Sequence, residues 1–100
     1  MAQVQVKARH DQQYKQEIKA GTHAFVADAP SSVGGADNGP EPHELLLASL
    51  GACTSITLQM YAKRKGWDLK DVIVDLKEEQ VDDPETGKPM SQITRQIKVQ

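Results

Sequence analysis

Hydrophobic and polar residues alternate near the start of the chain, which is the pattern of a half-buried strand. Val4, Val6 and Ala8 alternate with glutamine and basic residues. Polar breaks then divide the following residues into two more strand segments, of which 24–27 is the more hydrophobic. Residues 3–28 therefore predict a three-stranded antiparallel meander.

The same alternation returns after the middle of the chain. Residues 71–77 and 92–99 each place an apolar residue at every second or fourth position, and the turn-forming segment 82–89 lies between them. This pattern predicts a hairpin over residues 71–99.

One long helix is predicted at residues 42–65. Pro42 suits the first position of a helix, and Glu41 and Glu44 place negative charge at its N-terminal end. Three consecutive basic residues followed by Gly66 mark its C-terminal end.

Apolar residues surround this helix, so it is expected to be buried on most sides, in the middle of the fold or in a subunit interface. Gly51 in its interior costs roughly 1 kcal/mol against alanine, which suggests that another backbone approaches closely there. Strands, one helix and strands again indicate an α+β fold with the helix against about five strands. Because one sheet cannot cover all sides of the helix, a homo-oligomer is expected, most simply a twofold dimer.

Residues 29–41 have the composition of a loop, rich in glycine, proline, serine and aspartate. A loop of this length in a small domain is usually functional. It lacks the lysine and hydroxyl residue that end a phosphate-binding loop, and Gly34-Gly35 does not fit the dinucleotide fingerprint.

Composition narrows the class of protein. A chain of 100 residues has room for one domain, 1–100, and 38% hydrophobic with 26% charged residues is typical of a globular protein. A net charge of -2 gives no electrostatic footprint for nucleic acid or an anionic membrane, and the apolar run around 45–47 is too short for a membrane span. The N-terminus lacks the pattern of a signal peptide, and the single cysteine cannot form an internal disulfide, so a cytoplasmic protein with a reduced thiol is expected.

Cys53 is the first candidate for chemistry. A free cysteine on an apolar helix is most often a small core residue. The residues three and four positions before and after Cys53 are not basic. In the middle of a helix, the helix dipole does not stabilise the thiolate either. If Cys53 is reactive, its activating cation must therefore come from another element or another subunit.

Two arginines are candidates for that cation. Arg9 lies beside the first turn, where an exposed arginine is also the usual case. Arg95 shares a strand face with Ile93 and Ile97, so it points toward the core and requires a partner, unless it only snorkels at the sheet edge.

His43 and Glu44 begin like the helix of a zinc protease, but Leu47 stands where the second histidine belongs, so no metal site is predicted. The helix dipole alone explains Glu44. His43 lies ten positions before Cys53, about 15 Å along one helix, so the two cannot touch within one subunit.

These residues resemble a known family. The run GGADNGPEPHELLLASLGACT at 34–54 is similar to the signature of the OsmC/Ohr family, the osmotically inducible protein C and organic hydroperoxide resistance proteins. The run MYAKRKGW at 60–67 resembles the branch of OsmC-like redox proteins.

The resemblance implies an intertwined homodimer in which antiparallel strands wrap the long central helices, with active sites at the subunit interface. It implies that Cys53 is the peroxidatic cysteine, which attacks the O–O bond of an organic hydroperoxide and becomes a sulfenic acid. An arginine of the first hairpin, here Arg9, and a glutamate at the helix start hold the thiolate in this family. No cofactor and no metal are implied.

Three departures from the family pattern affect the site. His43 stands at the glutamate position, and Glu44, one residue later, is rotated by about 100° around the helix. The register of the arginine is open by one residue, which would place His10 there. The family's resolving cysteine lies on a C-terminal helix beyond the last residue of this sequence, so the chain is either truncated or a shortened variant. Without that cysteine, turnover is expected to rest on an external thiol or to stop at the sulfenic acid.

Two hypotheses follow. The first is a thiol-dependent reductase of organic hydroperoxides, with Cys53, Arg9, His43 and Glu44 as its site residues. The alternative is a non-catalytic dimeric module that binds small hydrophobic molecules and carries an inert cysteine.

Overall fold

The structure, a computed structural model, describes residues 2–100. In chain order it contains β1 (Val4–Ala8), β2 (Gln16–Ala20), β3 (His23–Ala27), a 3-10 turn (Ser31–Val33), α1 (Pro42–Lys65), β4 (Val72–Asp82) and β5 (Pro89–Val99). One long helix with antiparallel strands confirms the predicted α+β class, and the helix occupies the predicted residues.

The five described strands form two sheets instead of the single sheet that the sequence suggested. One has the order β1-β2-β3 and the other pairs β4 with β5. Every pairing joins strands that are consecutive in the chain, because short turns bring such neighbours together at little entropic cost. The chain divides into two compact units, one that runs to Leu45 and one of Leu46–Gln100.

In the first unit, a turn after Arg9 sets the register of the meander. The backbone N–H of Gln12 donates to the Arg9 carbonyl at 3.2 Å, and that of Lys15 donates to the Gln12 carbonyl at 3.0 Å. Lys7 then lies opposite Glu17 on the neighbouring strand. The second strand begins at Gln16.

A buried carboxylate holds the loop after β3 against the meander. Asp28 is only 2% exposed. Its Oδ1 accepts the backbone N–H of Ala29 at 2.7 Å, and its Oδ2 accepts that of Asn38 at 3.1 Å. The backbone N–H of Asp28 donates to the Pro40 carbonyl at 3.1 Å. The predicted loop is therefore docked, and it delivers the chain to Pro42 in a defined position.

Two glycines make this docking possible. A Cβ at Gly35 would overlap the carbonyl oxygen of Ala29, and one at Gly39 would overlap that of Val26. Both obstacles are backbone atoms, which cannot move aside without shifting a strand end.

In the second unit, one face of α1 packs on β4. Gly51 and Ala62 are buried on the helix, and Thr54, Ser55 and Leu58 are half-buried. A Cβ built on Gly51 would lie 2.8 Å from Cδ1 of Leu76. The close neighbour of Gly51 is therefore a side chain, and the expectation of a second backbone there was wrong.

The other sides of α1 are uncovered in the described chain. Leu46, Leu50, Ile56 and Met60 are exposed. Burial on most sides therefore does not occur within one copy, and the alternative of a subunit interface remains.

By length and composition, α1 is also apolar enough to cross a membrane. The uninterrupted apolar run around 45–47 is much shorter than the helix and did not indicate this property. The core helix of a soluble protein can have the same length and composition.

The glycine contacts predict opposite outcomes for two alanine substitutions. Gly39→Ala should lower the free energy of unfolding by about 1–3 kcal/mol, because its Cβ meets backbone. In Gly51→Ala, the roughly 1 kcal/mol gained in helix propensity should offset the free-energy cost of shifting the flexible Leu76 side chain. The free energy of unfolding should therefore stay nearly unchanged. Urea unfolding measures the free energy of unfolding of both variants. Equal losses would contradict the distinction between a backbone contact at Gly39 and a side-chain contact at Gly51.

Candidate active site

Cys53 is exposed on the outer face of α1. It follows Gly51 by two positions, which places it about 200° around the helix axis from the face that packs on β4. Leu50, Ile56 and Met60, near it on the helix, are exposed as well. Cys53 is therefore not a core residue of the described chain but the central residue of an uncovered apolar face.

Arg95 is fixed beside the residue that follows Cys53. It lies on β5 opposite Leu76, on the sheet face that carries the helix. Its Nη1 donates to Oγ1 of Thr54 at 2.9 Å, and that hydroxyl donates to the Leu50 carbonyl at 2.8 Å. Arg95 therefore lies on the helix-bearing face with a polar partner, as expected, but it is exposed, which fits the alternative of snorkelling at the sheet edge.

Arg9 forms an ion pair within the meander. Its Nε donates to Oε2 of Glu17 at 2.6 Å, and its Nη2 donates to Oε1 at 3.4 Å. The hydrogen bond, followed by the charge of Glu17, raises the pKa of Arg9. The same hydrogen bond is the main cause that lowers the pKa of Glu17, with smaller contributions from the charges of Arg9, Lys7 and Lys15.

Glu44 caps the helix. Its Oε1 accepts the backbone N–H of Glu41 at 3.0 Å, three residues earlier. This is the carboxylate half of a capping box, and it satisfies an N–H that the helix leaves without a partner. His43 is exposed in the same turn.

The predicted site residues are distributed over both units. Arg9, His43 and Glu44 belong to the first unit, and Cys53 belongs to the second. Their catalytic roles remain predictions. Within the units, the structure brings Arg9 together with Glu17, and Arg95 together with Thr54.

Sequence reasoning missed Glu17 as a partner of Arg9. The signal for it is the register of the first hairpin: with Lys7 opposite Glu17, a side chain two positions after Lys7 is a diagonal neighbour of Glu17. The polar turn is recognisable in the sequence, but its exact length is not, and the register depends on that length.

The first unit also contains an open cavity of about 460 Å³. Its lining is mostly apolar and includes Val6, Tyr14, Ile18, Ala27, Pro42 and Leu45. This volume lies within the range of small-molecule sites. In residues 2–100, no group of three or more histidine, cysteine, aspartate or glutamate side chains is placed to hold a metal ion.

Together these features define a class of small α+β proteins in which a long apolar helix, entered from a docked glycine-rich loop, carries a cysteine. The family model for OsmC-like protein matches residues 34–100. The chain belongs to the OsmC-like protein family. Membership indicates a peroxide-related redox role and an oligomeric protein. It also identifies α1 as the core helix of a soluble fold, so no membrane localisation is indicated.

A solved structure resembles the whole chain. It is the crystal structure from Legionella pneumophila of "an organic hydroperoxide resistance protein OsmC, predicted redox protein, regulator of sulfide bond formation". The TM-score is 0.68 and the sequence identity 16%, over 99% of this chain and 70% of that chain. At this identity the likeness shows the fold alone. Among curated proteins, none matches the chain.

The helix cap allows a test of Glu44. Glu44→Gln keeps an oxygen that can accept from Glu41 and should leave stability nearly unchanged, whereas Glu44→Ala should cost about 0.5–1 kcal/mol. Thermal unfolding of both variants measures this. If Glu44→Ala unfolds at the same temperature as the unaltered chain, the bond to Glu41 does not stabilise the helix.

Proposed function

We propose that this chain is a thiol-dependent reductase of organic hydroperoxides that works as an intertwined homodimer, with Cys53 as its nucleophile. The observation that carries the proposal is the place of Cys53 on α1. The sulfur lies at the centre of an exposed apolar face, where an apolar peroxide can reach it once a second copy builds the surrounding pocket.

The reaction needs few groups. The Cys53 thiolate attacks one oxygen of the O–O bond, an S–O bond forms, and the O–O bond breaks. The leaving alkoxide takes up a proton and departs as the alcohol, and the sulfur is left as a sulfenic acid. Two equivalents of an external thiol then release water, form a disulfide between themselves and restore the cysteine.

A cation is required because the thiolate is the nucleophile. Arg9 is the proposed partner, as an arginine next to the first hairpin turn. Arg95 is the second candidate, since its guanidinium bonds to Thr54, the residue next to Cys53. His43 and Glu44 are proposed to border the site from the start of the helix.

The dimer explains the uncovered apolar surface. On α1, Leu46, Leu50, Ile56 and Met60 are exposed, and on the helix-bearing face of β5 so are Ile93, Ile97 and Val99. Burial of such a side chain from full exposure contributes about 1.5–3 kcal/mol, and each of these half-exposed side chains would gain part of that. A helix from a second copy would cover both rows at once.

We assign the second half of the cycle to an external thiol. Within these 100 residues Cys53 is the single thiol. An external thiol reductant and a cytoplasmic location, where thiols are kept reduced, complete the proposal.

A second candidate function, the binding of small hydrophobic molecules, is supported by a different feature. The cavity of about 460 Å³ in the first unit is the feature that a module for small hydrophobic molecules would use. In that case Cys53 would be inert.

The decisive experiment uses the fact that all thiol signal comes from Cys53. The reduced protein is mixed with tert-butyl hydroperoxide, and alcohol release and loss of the thiol are followed together. The unaltered chain should give one alcohol for each thiol lost and continuous turnover with added dithiothreitol. Cys53→Ser should reduce both to background. Alcohol release that survives Cys53→Ser, or an unreactive thiol with unchanged hydroperoxide, would show that the chain is no such reductase.

The dimer is tested by two matched substitutions. Ile56 on the outer face of α1 is 49% exposed, and Ile73 on the hairpin face away from the helix is 52% exposed. Ile56→Glu should shift the mass measured by light scattering from dimer to monomer, because an unpaired charge would be buried. Ile73→Glu should leave the dimer intact. A monomeric unaltered chain, or equal behaviour of the two variants, would argue against this interface.

A further inference from the structure

The ion pair between Arg9 and Glu17 joins two strands at one end of the meander. The Nε and Nη2 atoms of the guanidinium are directed at the two carboxylate oxygens, 2.6 and 3.4 Å away. Two parallel bonds of this kind determine the direction of the guanidinium plane, which a single bond cannot do. Both side chains are otherwise exposed.

The choice of partner is selective. Glu17 is surrounded by three basic residues, because Lys7 lies directly opposite it and Lys15 and Arg9 are close by. The carboxylate takes its hydrogen bonds from Arg9, whose planar fork matches two oxygens, as a lysine ammonium cannot.

The pairing leaves the other side of the guanidinium available for an anion. It uses the edge formed by Nε and Nη2, so the two N–H groups of Nη1 remain outside the ion pair. A cation that serves a thiolate needs such a directed and open edge.

We propose that Glu17 is a positioning residue that orients Arg9 toward the Cys53 thiolate and the peroxide during reduction. The inference rests on the proposed function. Glu17 acts through Arg9 and touches neither sulfur nor substrate. It supplies from the neighbouring strand the carboxylate that the helix start does not offer, since His43 stands in that turn and Glu44 is occupied with the Glu41 N–H.

Removal of Glu17 is expected to have two effects of opposite sign on the reaction of Cys53, one on the fraction of thiolate and one on its reactivity. An experiment can therefore separate them. As a counter-charge, Glu17 weakens the field of Arg9, so its removal would lower the pKa of a thiol near Arg9 and increase the thiolate fraction. As a positioning group, Glu17 holds Arg9 in place, so its removal would slow the reaction of the thiolate itself.

The test measures both quantities for Glu17→Gln. Rapid mixing with tert-butyl hydroperoxide gives the second-order rate constant of Cys53 from pH 5 to 10, and alkylation with iodoacetamide over the same range gives the thiol pKa. We expect a thiol pKa that is unchanged or lower. At high pH, where Cys53 is all thiolate, the rate constant should fall about three- to tenfold, the effect of releasing one ordered side chain.

Controls isolate the route through Arg9. Glu79→Gln removes the same charge from an ion pair with Lys77 on the hairpin, 3.3 Å long, and should leave the rate unchanged. Arg9→Ala should slow the reaction, and adding Glu17→Gln to it should change nothing further. Circular dichroism and light scattering confirm that each variant keeps its fold and its assembly.

The outcomes separate a failure of the proposed reductase function from a failure of the positioning role of Glu17. If Cys53 of the unaltered chain does not reduce the peroxide, the proposed function is wrong and this inference falls with it. If Cys53 reacts but Glu17→Gln keeps the full rate at high pH, or slows the reaction equally with and without Arg9, only the positioning role of Glu17 is wrong.

Discussion

The packing of one face of α1 on the β4–β5 hairpin is the interaction on which the candidate site depends. Gly51 lets the helix approach until Leu76 lies against its backbone, and Thr54, Ser55, Leu58 and Ala62 continue the same face toward the C-terminal end. Because a helix turns by about 100° per residue, using this face for the hairpin directs Cys53 to the opposite side. The side chains around the cysteine remain apolar and uncovered, which is costly in water and favours association.

Two guanidinium groups are each fixed by one polar partner within their own unit. Glu17 determines the direction of Arg9, and the Thr54 hydroxyl holds Arg95 at the helix surface. An exposed ion pair such as Arg9–Glu17 contributes little to stability in water, where the dielectric constant is high. The effect of the guanidinium groups on a thiolate grows when an interface excludes water, because the same charges then act through a medium of lower dielectric constant. Assembly and thiol activation are therefore physically linked in the proposed reductase.

The loop that leads into the helix is held by backbone bonds to one carboxylate. Asp28 accepts from two backbone N–H groups while almost entirely buried, and the close approach at Gly35 and Gly39 leaves no room for a side chain. The glycines that identify the family in the sequence thus have a structural reason in this chain. They allow the loop to lie on the end of β3, so that the helix starts at Pro42 in a defined position.

Local signals in the sequence determined a large part of the fold. Alternation predicted the strands, and proline, acidic, basic and glycine residues marked both ends of α1, because these preferences act between residues a few positions apart. The family signature located Cys53. The tertiary structure alone decided that the strands form two sheets, that Leu76 is the neighbour of Gly51, that Glu17 binds Arg9, and that Asp28 holds the loop. These contacts join residues distant in sequence or depend on a register shifted by a single position, and no local preference of a residue determines such a choice.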